Sequence, residues 1–468
     1  MPVDYNLVVI GHTPAGIAAA SQAAKRKARV ALVTQSSNTD SQTSFSLHHW
    51  LLDNARHAKK LQTVPLPDWK VAQMQAIAIS EQLHNLQSSS GLAALGVDVI
   101  AGSGKFCSQP DVGFMAEGRL LQARSYLLAP AAHPLVPVIA GLESAGYLTA
   151  STLNLEGYAH CQHVVVIGAT PLAVELAQAF VNLGIAATLI TQYDQCLPNA
   201  DWRMGFQVQA QLEADGVEVL TRTRVQQVQA KAGKKQVVVG DRVIETDEIV
   251  LAAGNSPDVT SLNLEAVGVK WNPQGIWHNN KLQTTNPRIY VCEGSAQGDR
   301  FPHVATAEAA IAVKNALFFP VFTYSPHPIP CAVYTTPELA WVGLTEFQAR
   351  QRYGNRVQIL QRSLNTNPKA QIRNDLNGLC KLIVHRNGRL LGAHLLGAQA
   401  SESIGILALA LQRKLNVQAL ATLALPTPTL AELIQQTAAD YDPLHLNQHP
   451  KRRDLLDNLF DVLRFWSS

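Results

Sequence analysis

Hydrophobic positions near the N-terminus fall in short continuous runs. The first run is Leu7–Ile10, followed by a turn that contains Gly11 and Gly16 and by an alanine-rich stretch over 17–24. Val30–Val33 is the next run. A four-residue apolar run beside a glycine turn is typical of a strand buried in a parallel sheet. The pattern predicts strand, glycine turn, helix and strand, which begins a doubly wound α/β domain.

The same pattern returns in the middle of the chain. Val164–Ile167 leads into a turn at Gly168 and an amphipathic stretch over 172–183. Gly184 is predicted as the C-cap of this helix, and a strand is predicted over 188–190. The two turns are 157 residues apart (168 − 11). This distance indicates two dinucleotide-binding-type domains rather than a short structural repeat.

The pattern changes after a proline-rich linker at 326–330. Apolar runs at 379–384 and 390–395 flank Asn387–Gly388, a strong hairpin signal. A helical pattern follows over 400–413. These features predict a third domain of α+β type.

Composition excludes several classes of protein. The chain has 468 residues, 47% of them hydrophobic and 16% charged, which is enough apolar material for about three domain cores. A net charge of +3 gives no basis for nucleic-acid binding. The six cysteines are scattered without zinc-ligand spacing. No signal peptide or membrane-spanning run is recognisable, so a cytoplasmic globular protein is expected.

Four segments carry motifs of one known family. They read Val174–Phe180 (VELAQAF), Tyr334–Glu346 (YTTPELAWVGLTE), Gly392–Gly397 (GAHLLG) and Ala400–Glu402 (ASE). With these motifs the chain resembles the flavoprotein pyridine nucleotide-disulfide oxidoreductases, the family of dihydrolipoamide dehydrogenase, glutathione reductase and mercuric reductase. The similarity runs to about residue 439, and VELAQAF is most like the mercuric reductase branch.

The resemblance implies an α/β fold with two doubly wound dinucleotide-binding-type domains, a C-terminal α+β dimerisation domain, and a homodimer. The implied segments are 1–150 with 266–325 for an FAD-binding-like domain, 151–265 for an NAD(P)-binding-like domain, 326–439 for the dimerisation domain and 440–468 for a tail.

The family passes electrons from NAD(P)H through FAD to a CxxxxC disulfide. By alignment that pair falls between Asp40 and Phe45, and no cysteine occurs before Cys107. Thiol–disulfide exchange requires a thiolate. The sequence therefore predicts that this chain is not a disulfide reductase.

The family's acid/base pair is also incomplete. Its C-terminal histidine aligns with Thr427 and its glutamate with Glu432. A hydroxyl does not titrate near neutral pH. Glu432 is predicted to be a helix N-terminal residue, which the helix dipole favours, and no residue is assigned a catalytic role.

The implied FAD site keeps Gly11 and Gly16 but departs from the family elsewhere. Thr13 replaces the glycine that lets the backbone approach the pyrophosphate, and Thr34 stands where an acid would hold the ribose. Two further motifs of the family's FAD site are replaced in this chain, by Ala129–Pro130–Ala131 and by Glu293–Gly294–Ser295. No tightly bound FAD is expected, although the resemblance keeps FAD or NAD(P) open as cofactors.

The implied NAD(P) site departs less. Gly168 and Glu175 remain as candidate cofactor-binding residues, whereas Thr170 and Ala173 replace two glycines. The residues after the second strand of this unit, Thr191 and Gln192, give no preference between NAD and NADP.

Two further features invite functional interpretation. His48 and His49 are adjacent, but nothing supplies more ligands at suitable spacing, so no metal site is predicted. By alignment, a contact between His49 and Glu175 is a structural hypothesis. The stretch 452–466 has an apolar stripe opposite a polar face with aspartates. Three roles are open for this stretch: it packs on the protein itself or its dimer partner, it binds another protein, or it lies on a membrane surface. The aspartates argue against the membrane.

Two functions remain open. The first is a non-catalytic relative, a pseudoenzyme that keeps the dimeric scaffold for binding, assembly or regulation, and the loss of every catalytic motif favours it. The alternative is an FAD/NAD(P)H-dependent oxidoreductase that passes electrons to an acceptor other than a disulfide. The sequence names no substrate or partner.

Overall fold

The computed structural model describes most of the chain. The described residues are 3–35, 52, 56, 74–75, 77–79, 81–82, 89–109, 111–150, 152–153, 160–231, 233–292, 301–442 and 450–466. They form two compact units, 1–199 with 212–325 (unit 1) and 200–211 with 326–468 (unit 2). The domain boundaries given above remain predictions.

Unit 1 contains a first parallel sheet of five strands, ordered β20-β7-β1-β2-β3. Its strands are β1 (Tyr5–Ile10), β2 (Val30–Val33), β3 (Val97–Ile100), β7 (Ala123–Leu128) and β20 (Ile289–Val291). The helices of this part are α1 (Pro14–Lys25), α2 (Ser89–Ala94) and α6 (Pro302–Leu317). Alternate residues of β1 point to opposite faces: Leu7 and Val9 pack against the alanines of α1 and α6, while Val8 and Ile10 enter a second core. Burial on both faces explains the continuous apolar run.

Smaller strands complete this part of unit 1. An antiparallel sheet covers the second core, with β4 (Gly104–Cys107), β5 (Gly113–Ala116) and β6 (Arg119–Leu121). Two antiparallel pairs follow, β8 (Ala132–Pro134) with β17 (Asn255–Pro257) and β18 (Trp271–Asn272) with β19 (Gly275–Ile276). Short 3₁₀ turns lie at Thr260–Leu262 and Leu264–Val267.

Unit 1 also contains a second parallel sheet of five strands, ordered β12-β11-β10-β16-β9. Its strands are β9 (Leu148–Thr149), β10 (His163–Ile167), β11 (Ala186–Ile190), β12 (Glu218–Leu220) and β16 (Glu248–Leu251). An antiparallel layer, β13 (Gln227–Lys231), β14 (Lys234–Val239) and β15 (Arg242–Thr246), packs on it together with helix α3 (Leu142–Ala145). Helix α4 (Pro171–Asn182) packs against β10 and β11. The two predicted strand–turn–helix units are therefore confirmed. The second helix has its C-cap at Leu183 rather than at Gly184.

Unit 2 is built on an antiparallel sheet ordered β21-β22-β25-β24-β23. Its strands are β21 (Cys331–Val333), β22 (Glu338–Gly343), β23 (Val357–Ser363), β24 (Leu379–His385) and β25 (Leu390–Gly397). Its helices are α7 (Glu346–Tyr353), α8 (Pro368–Arg373), α9 (Ala400–Gln412), α10 (Val417–Ala421), α11 (Glu432–Ala439) and α12 (Pro450–Trp466), with 3₁₀ turns at Gly354–Arg356 and Leu364–Thr366. The hairpin predicted at Asn387–Gly388 is confirmed as β24–β25. Helix α5 (Trp202–Asp215) begins in the segment 200–211 that groups with this unit.

A buried cluster of charged side chains holds the start of α5 against β24 and α7 of unit 2. The Lys381 ammonium lies 2.8 and 2.9 Å from the two carboxylate oxygens of Asp201 and 2.8 Å from Oε2 of Glu346. The side chains of Lys381 and Asp201 are almost fully buried. The Glu346 amide also donates to Asp201, at 3.2 Å. Because removing one partner leaves a buried charge uncompensated, this cluster fixes the segment strongly.

His394 lies next to this cluster, fully buried on β25. Its Nε2 is 3.2 Å from the carbonyl of Leu344, and burial lowers the pKa of His394 to about 4, against the opposing effect of the nearby Asp201 charge. Burial also raises the pKa of Asp201, but the hydrogen bond from Lys381 and the neighbouring charges together lower it below its ordinary value.

The cluster generates a pH-dependent prediction. Since the folded pKa of His394 lies below the unfolded value near 6.5, the unfolded chain binds the proton first as pH falls. Between about pH 6.5 and about pH 5, unit 2 should lose roughly 2 kcal/mol of stability from this residue. In His394→Gln, which keeps a donor for the Leu344 carbonyl, the unfolding midpoint should depend less on pH. The exposed His327→Gln should keep the wild-type pH dependence, and equal pH slopes for His394→Gln and wild type would disprove the assignment.

Candidate functional site

The first glycine turn is shaped by close contacts within the protein. Gly11 has φ +116°, and a β-carbon there would lie 1.9 Å from the carbonyl oxygen of Ala129. A β-carbon on Gly16 would lie 2.0 Å from the carbonyl oxygen of Gly11. Packing between β1, α1 and the end of β7 therefore requires both glycines. Their role as cofactor-binding residues remains a prediction.

Thr13 is the N-cap of α1. Its hydroxyl accepts a hydrogen bond from the Gly16 amide at 3.2 Å and donates to the Ala129 carbonyl at 3.4 Å. Helix N-terminal amides are the groups that bind a pyrophosphate in dinucleotide folds. Here the Gly16 amide already has an acceptor in the chain, and the Thr13 side chain stands where the family has a bare glycine.

Thr34 lies at the carboxyl end of β2. Its hydroxyl accepts a hydrogen bond from the Gly102 amide at 3.1 Å, and its own amide donates to the Ile100 carbonyl at 3.0 Å. These two bonds hold the end of β2 to the last residue of β3 and to the segment that follows it. No carboxylate is supplied at this position, where the family's acid would bind a ribose hydroxyl.

The second glycine turn repeats the arrangement. A β-carbon on Gly168, which has φ +154°, would lie 2.0 Å from the carbonyl oxygen of Ala252. The Thr170 hydroxyl accepts from the Ala173 amide at 3.3 Å and donates to the Ala252 carbonyl at 2.8 Å. Gly168 and Thr170 thus occupy the same roles in the second sheet as Gly11 and Thr13 in the first.

Glu175 is the fifth residue of α4 and is buried. Its candidate role in cofactor binding and its hypothetical contact with His49 remain predictions, because His49 lies outside the described residues. At the end of β11, the Thr191 hydroxyl accepts from the amide of Tyr193 at 3.2 Å. This contact turns the chain back locally.

Glu432, the remaining member of the family's acid/base motif, is the first residue of α11. Its carboxylate accepts from the Thr427 hydroxyl and from the Thr429 amide, both at 2.7 Å. The bond from the Thr429 amide and, to a smaller extent, the bond from the Thr427 hydroxyl lower the pKa of Glu432 below its ordinary value. The carboxylate closes the Thr427–Thr429 turn, as expected for a helix N-terminal residue. Thr427 offers no titratable group.

Other predicted positions cannot be placed. The segment 40–45, the pair His48–His49 and the segment Glu293–Ser295 all lie outside the described residues. Among the residues with described structure, no group of three or more His, Cys, Asp or Glu side chains is arranged to hold a metal ion. In the same part of the chain, no helix is long and apolar enough to cross a membrane.

The threonine caps were not assigned from the sequence, although a signal was present. Both turns read Gly-x-Thr-Pro, at 11–14 and at 168–171. A threonine before a proline is a helix N-terminus signature, with the hydroxyl as cap and the proline at the first helical position. The pattern therefore indicated a self-capped helix at each turn.

Two glycine-turn–helix units on parallel sheets and a C-terminal antiparallel domain define the fold class of the flavoprotein disulfide reductases. Residues 5–312 match the family of pyridine nucleotide-disulphide oxidoreductases, and residues 329–438 match the dimerisation domain of the same family. The chain belongs to the pyridine nucleotide-disulphide oxidoreductase family.

Individual relatives cover nearly the whole chain. Mercuric reductase of Staphylococcus aureus is 29% identical over 94% of this chain and 83% of its own length. Dihydrolipoyl dehydrogenase of Bacillus subtilis is 29% identical over 92% of this chain and 97% of its own. The HOCl-induced flavoprotein disulfide reductase RclA from Escherichia coli has a similar fold, with a TM-score of 0.80 at 24% identity over 93% of this chain and 99% of its own.

The capping role of Thr13 is testable by stability. Thr13→Ala removes the acceptor for the Gly16 amide and should cost about 1 kcal/mol, within roughly 0.5–2 kcal/mol. Thr13→Ser keeps the hydroxyl and should unfold close to the wild-type urea concentration. If Thr13→Ala and Thr13→Ser have the same urea midpoint, the hydroxyl does not cap α1.

Proposed function

We propose that this chain is a non-catalytic member of its family, which keeps the dimeric reductase scaffold and uses it for binding, assembly or regulation. One observation carries the proposal: both reactive motifs of the family have lost their reactive side chains. No cysteine precedes Cys107, and the histidine position is Thr427, whose hydroxyl is bonded to Glu432. At these two motif positions, neither thiol–disulfide exchange nor histidine acid/base chemistry has a group to perform it.

The residues at the positions where the family binds FAD support the same proposal. The residues at the first glycine turn and at the end of β2 do not fit a tightly bound FAD. The Thr13 hydroxyl already accepts from the Gly16 amide, and the Thr34 hydroxyl already accepts from the Gly102 amide. Each hydrogen bond lost to a ligand costs about 1–3 kcal/mol when a polar group is left unsatisfied. Two or three such losses weaken binding by several powers of ten, since about 1.4 kcal/mol is tenfold.

The alternative is an FAD/NAD(P)H-dependent oxidoreductase with an acceptor other than a disulfide. The second glycine turn favours it, because Gly168 and the buried Glu175 keep the family's residues there. The relatives named mercuric reductase and dihydrolipoyl dehydrogenase are catalytic proteins by those names. This alternative requires an FAD held without its usual ribose and pyrophosphate contacts.

The flavin content of the purified protein separates the two functions. We expect a colourless protein that binds no FAD after dialysis against it and does not oxidise NAD(P)H with oxidised lipoamide or an aromatic disulfide. The combined variant Thr13→Gly, Thr34→Glu and Ser295→Asp should bind FAD measurably, because it returns the family's residues to three contact positions. The matched control is Thr13→Ser with Thr34→Ser, which should stay colourless. Visible flavin absorbance near one equivalent in the wild type would establish the alternative instead.

The homodimer is a separate prediction, based on the match of residues 329–438 to the dimerisation domain. A stable interface of this kind should bury well over about 1,000 Å². Light scattering at micromolar concentration should give twice the chain mass of 50.7 kDa. A single-chain mass at that concentration would refute the dimer, whatever the flavin content.

A further inference from the structure

A turn of exposed apolar side chains follows α6 in unit 1. Its members Phe318, Phe319, Val321 and Phe322 are between 43% and 74% exposed. We name residues 318–322 the phenylalanine turn. With the area of a phenylalanine side chain as the measure, the turn presents on the order of 400 Å² of apolar surface to solvent. Contiguous exposed apolar surfaces of this size mark interaction sites.

Hydrogen bonds hold the backbone of the phenylalanine turn at both ends. The Arg124 guanidinium donates to the carbonyls of Leu317 and Phe318, at 2.9 and 3.0 Å. At the other end, the buried Asn315 side chain accepts from the Phe322 amide at 3.0 Å and donates to the Phe322 carbonyl at 2.8 Å. The backbone of the turn is therefore fixed while its apolar side chains stay in solvent.

The turn lies at the edge where the strands of the first sheet begin. Arg124 is the second residue of β7, and the next residue, Ser125, donates to the Ala316 carbonyl at 3.0 Å. These bonds place the end of α6 at the start of β7. All strands of a parallel sheet begin at one edge, and dinucleotides bind beyond the opposite edge. The phenylalanine turn is therefore separate from the first glycine turn.

The chain segments at this edge are rich in cations. They are 22–30, which leads from α1 into β2, 119–129, 279–290, which leads into β20, and 311–325. These four segments contain no Asp or Glu, and their charged residues are Lys25, Arg26, Lys27, Arg29, Arg119, Arg124, Lys281, Arg288 and Lys314.

Two contacts show how these charges are arranged. The Lys314 ammonium lies over the Phe322 ring, 5.5 Å from its centre, so a cation adjoins the turn itself. Arg119 pairs with Asp98 of β3 at 2.9 Å, and Asp4 precedes β1. Two acids thus stand against nine cations, and the edge as a whole is positive.

An anionic lipid surface fits this combination of groups. Segments that lie in a membrane interface combine Lys and Arg with exposed Trp, Phe or Leu side chains. Cations close to the bilayer are attracted to anionic headgroups. A protein partner would need a pocket shaped for four neighbouring apolar side chains, whereas the fluid interface of a bilayer accepts them without a fixed shape.

The exposed stripe of α12 has a different charge pattern. Leu455 and Trp466 on this stripe are 70% and 82% exposed. The polar side of the helix carries Asp457 and Asp461, and Asp461 pairs with Arg464. Acidic groups are repelled by an anionic lipid surface. Charge therefore favours the phenylalanine turn over α12 as a lipid contact.

We propose that the phenylalanine turn and the cations around it form a docking site for an anionic lipid bilayer. The phenyl rings enter the interface, and the exposed Lys25, Lys27 and Arg29 approach the headgroups. Residues 318–322 fall between the two ranges that match the family, 5–312 and 329–438. The inference goes beyond the proposed function, and it depends neither on the flavin content nor on the homodimer.

Sedimentation with vesicles tests the site. The full chain should sediment with vesicles of phosphatidylcholine and phosphatidylglycerol, and much less with phosphatidylcholine alone or at about 1 M salt, which screens the charges. Phe319→Ser removes the most exposed ring of the turn and should lower the partition coefficient at least about tenfold. The matched control is Phe347→Ser, which removes an exposed ring of α7 in unit 2 and should bind as wild type does.

The cations have a matched pair of variants as well. Lys25→Gln with Lys27→Gln removes two exposed cations at this edge and should weaken vesicle binding at least about tenfold. Arg203→Gln with Lys231→Gln removes the same charge from exposed positions elsewhere and should have little effect. Equal losses in the two double variants would show attraction by net charge alone and would overturn the assigned site.

Insertion of the turn has its own signal. Phe319→Trp should be quenched by lipids with brominated acyl chains beyond the background of the seven native tryptophans, whereas Phe347→Trp should add no quenching. Failure of the wild type to sediment with phosphatidylglycerol vesicles, or equal sedimentation of wild type and Phe319→Ser, would overturn the proposal. Binding to polyglutamate instead of vesicles, with the same loss in Phe319→Ser, would assign the turn to an acidic protein and overturn it too.

Discussion

Both parallel sheets depend on one steric constraint, the close approach of a backbone carbonyl to the glycine that ends the central strand. The Ala129 oxygen meets Gly11 and the Ala252 oxygen meets Gly168, at distances of 1.9 and 2.0 Å from where a β-carbon would be. Any side chain would force the strand, the turn and the helix apart. These glycines are required even when nothing is bound. In this chain, therefore, the glycine motif indicates the fold but does not indicate whether a cofactor binds.

The threonines beside these glycines show how the turns are completed. A bound pyrophosphate satisfies helix N-terminal amides only while it is present, so its stabilising effect depends on its concentration. A threonine cap satisfies one of them permanently and contributes about 1 kcal/mol to the helix. Thr13 and Thr170 both cap in this way, with the same second bond to an alanine carbonyl. The fold of each turn has thereby become independent of a ligand at that amide.

The sequence was informative wherever the structure depends on local pattern. The first two strands of each predicted unit (β1 with β2, and β10 with β11), the Asn387–Gly388 hairpin and the tail helix follow from apolar runs, turn residues and helical periodicity. The pairing of Lys381 with Asp201 could not be predicted, because the two residues are 180 positions apart and neither lies in a recognisable motif. The direction of the Thr13 hydroxyl and the exposure of the α12 stripe were also beyond the sequence, since both depend on what packs nearby.

The same ionic cluster connects the interior of unit 2 with its surface. Burying Lys381 and Asp201 carries a desolvation cost that only good geometry offsets, so a pair of well-packed apolar side chains would serve stability equally well. An apolar pair would not fix how the starts of α5 and α7 are placed relative to each other, however. Because Asp201 accepts from both the Lys381 ammonium and the Glu346 amide, it sets the starts of α5 and α7 at one spacing. Trp202 and Phe347, the residues that follow Asp201 and Glu346 in the chain, are both exposed at the surface. A buried polar group thus specifies the arrangement of an exposed apolar one, a role consistent with polar groups that favour one packing over others.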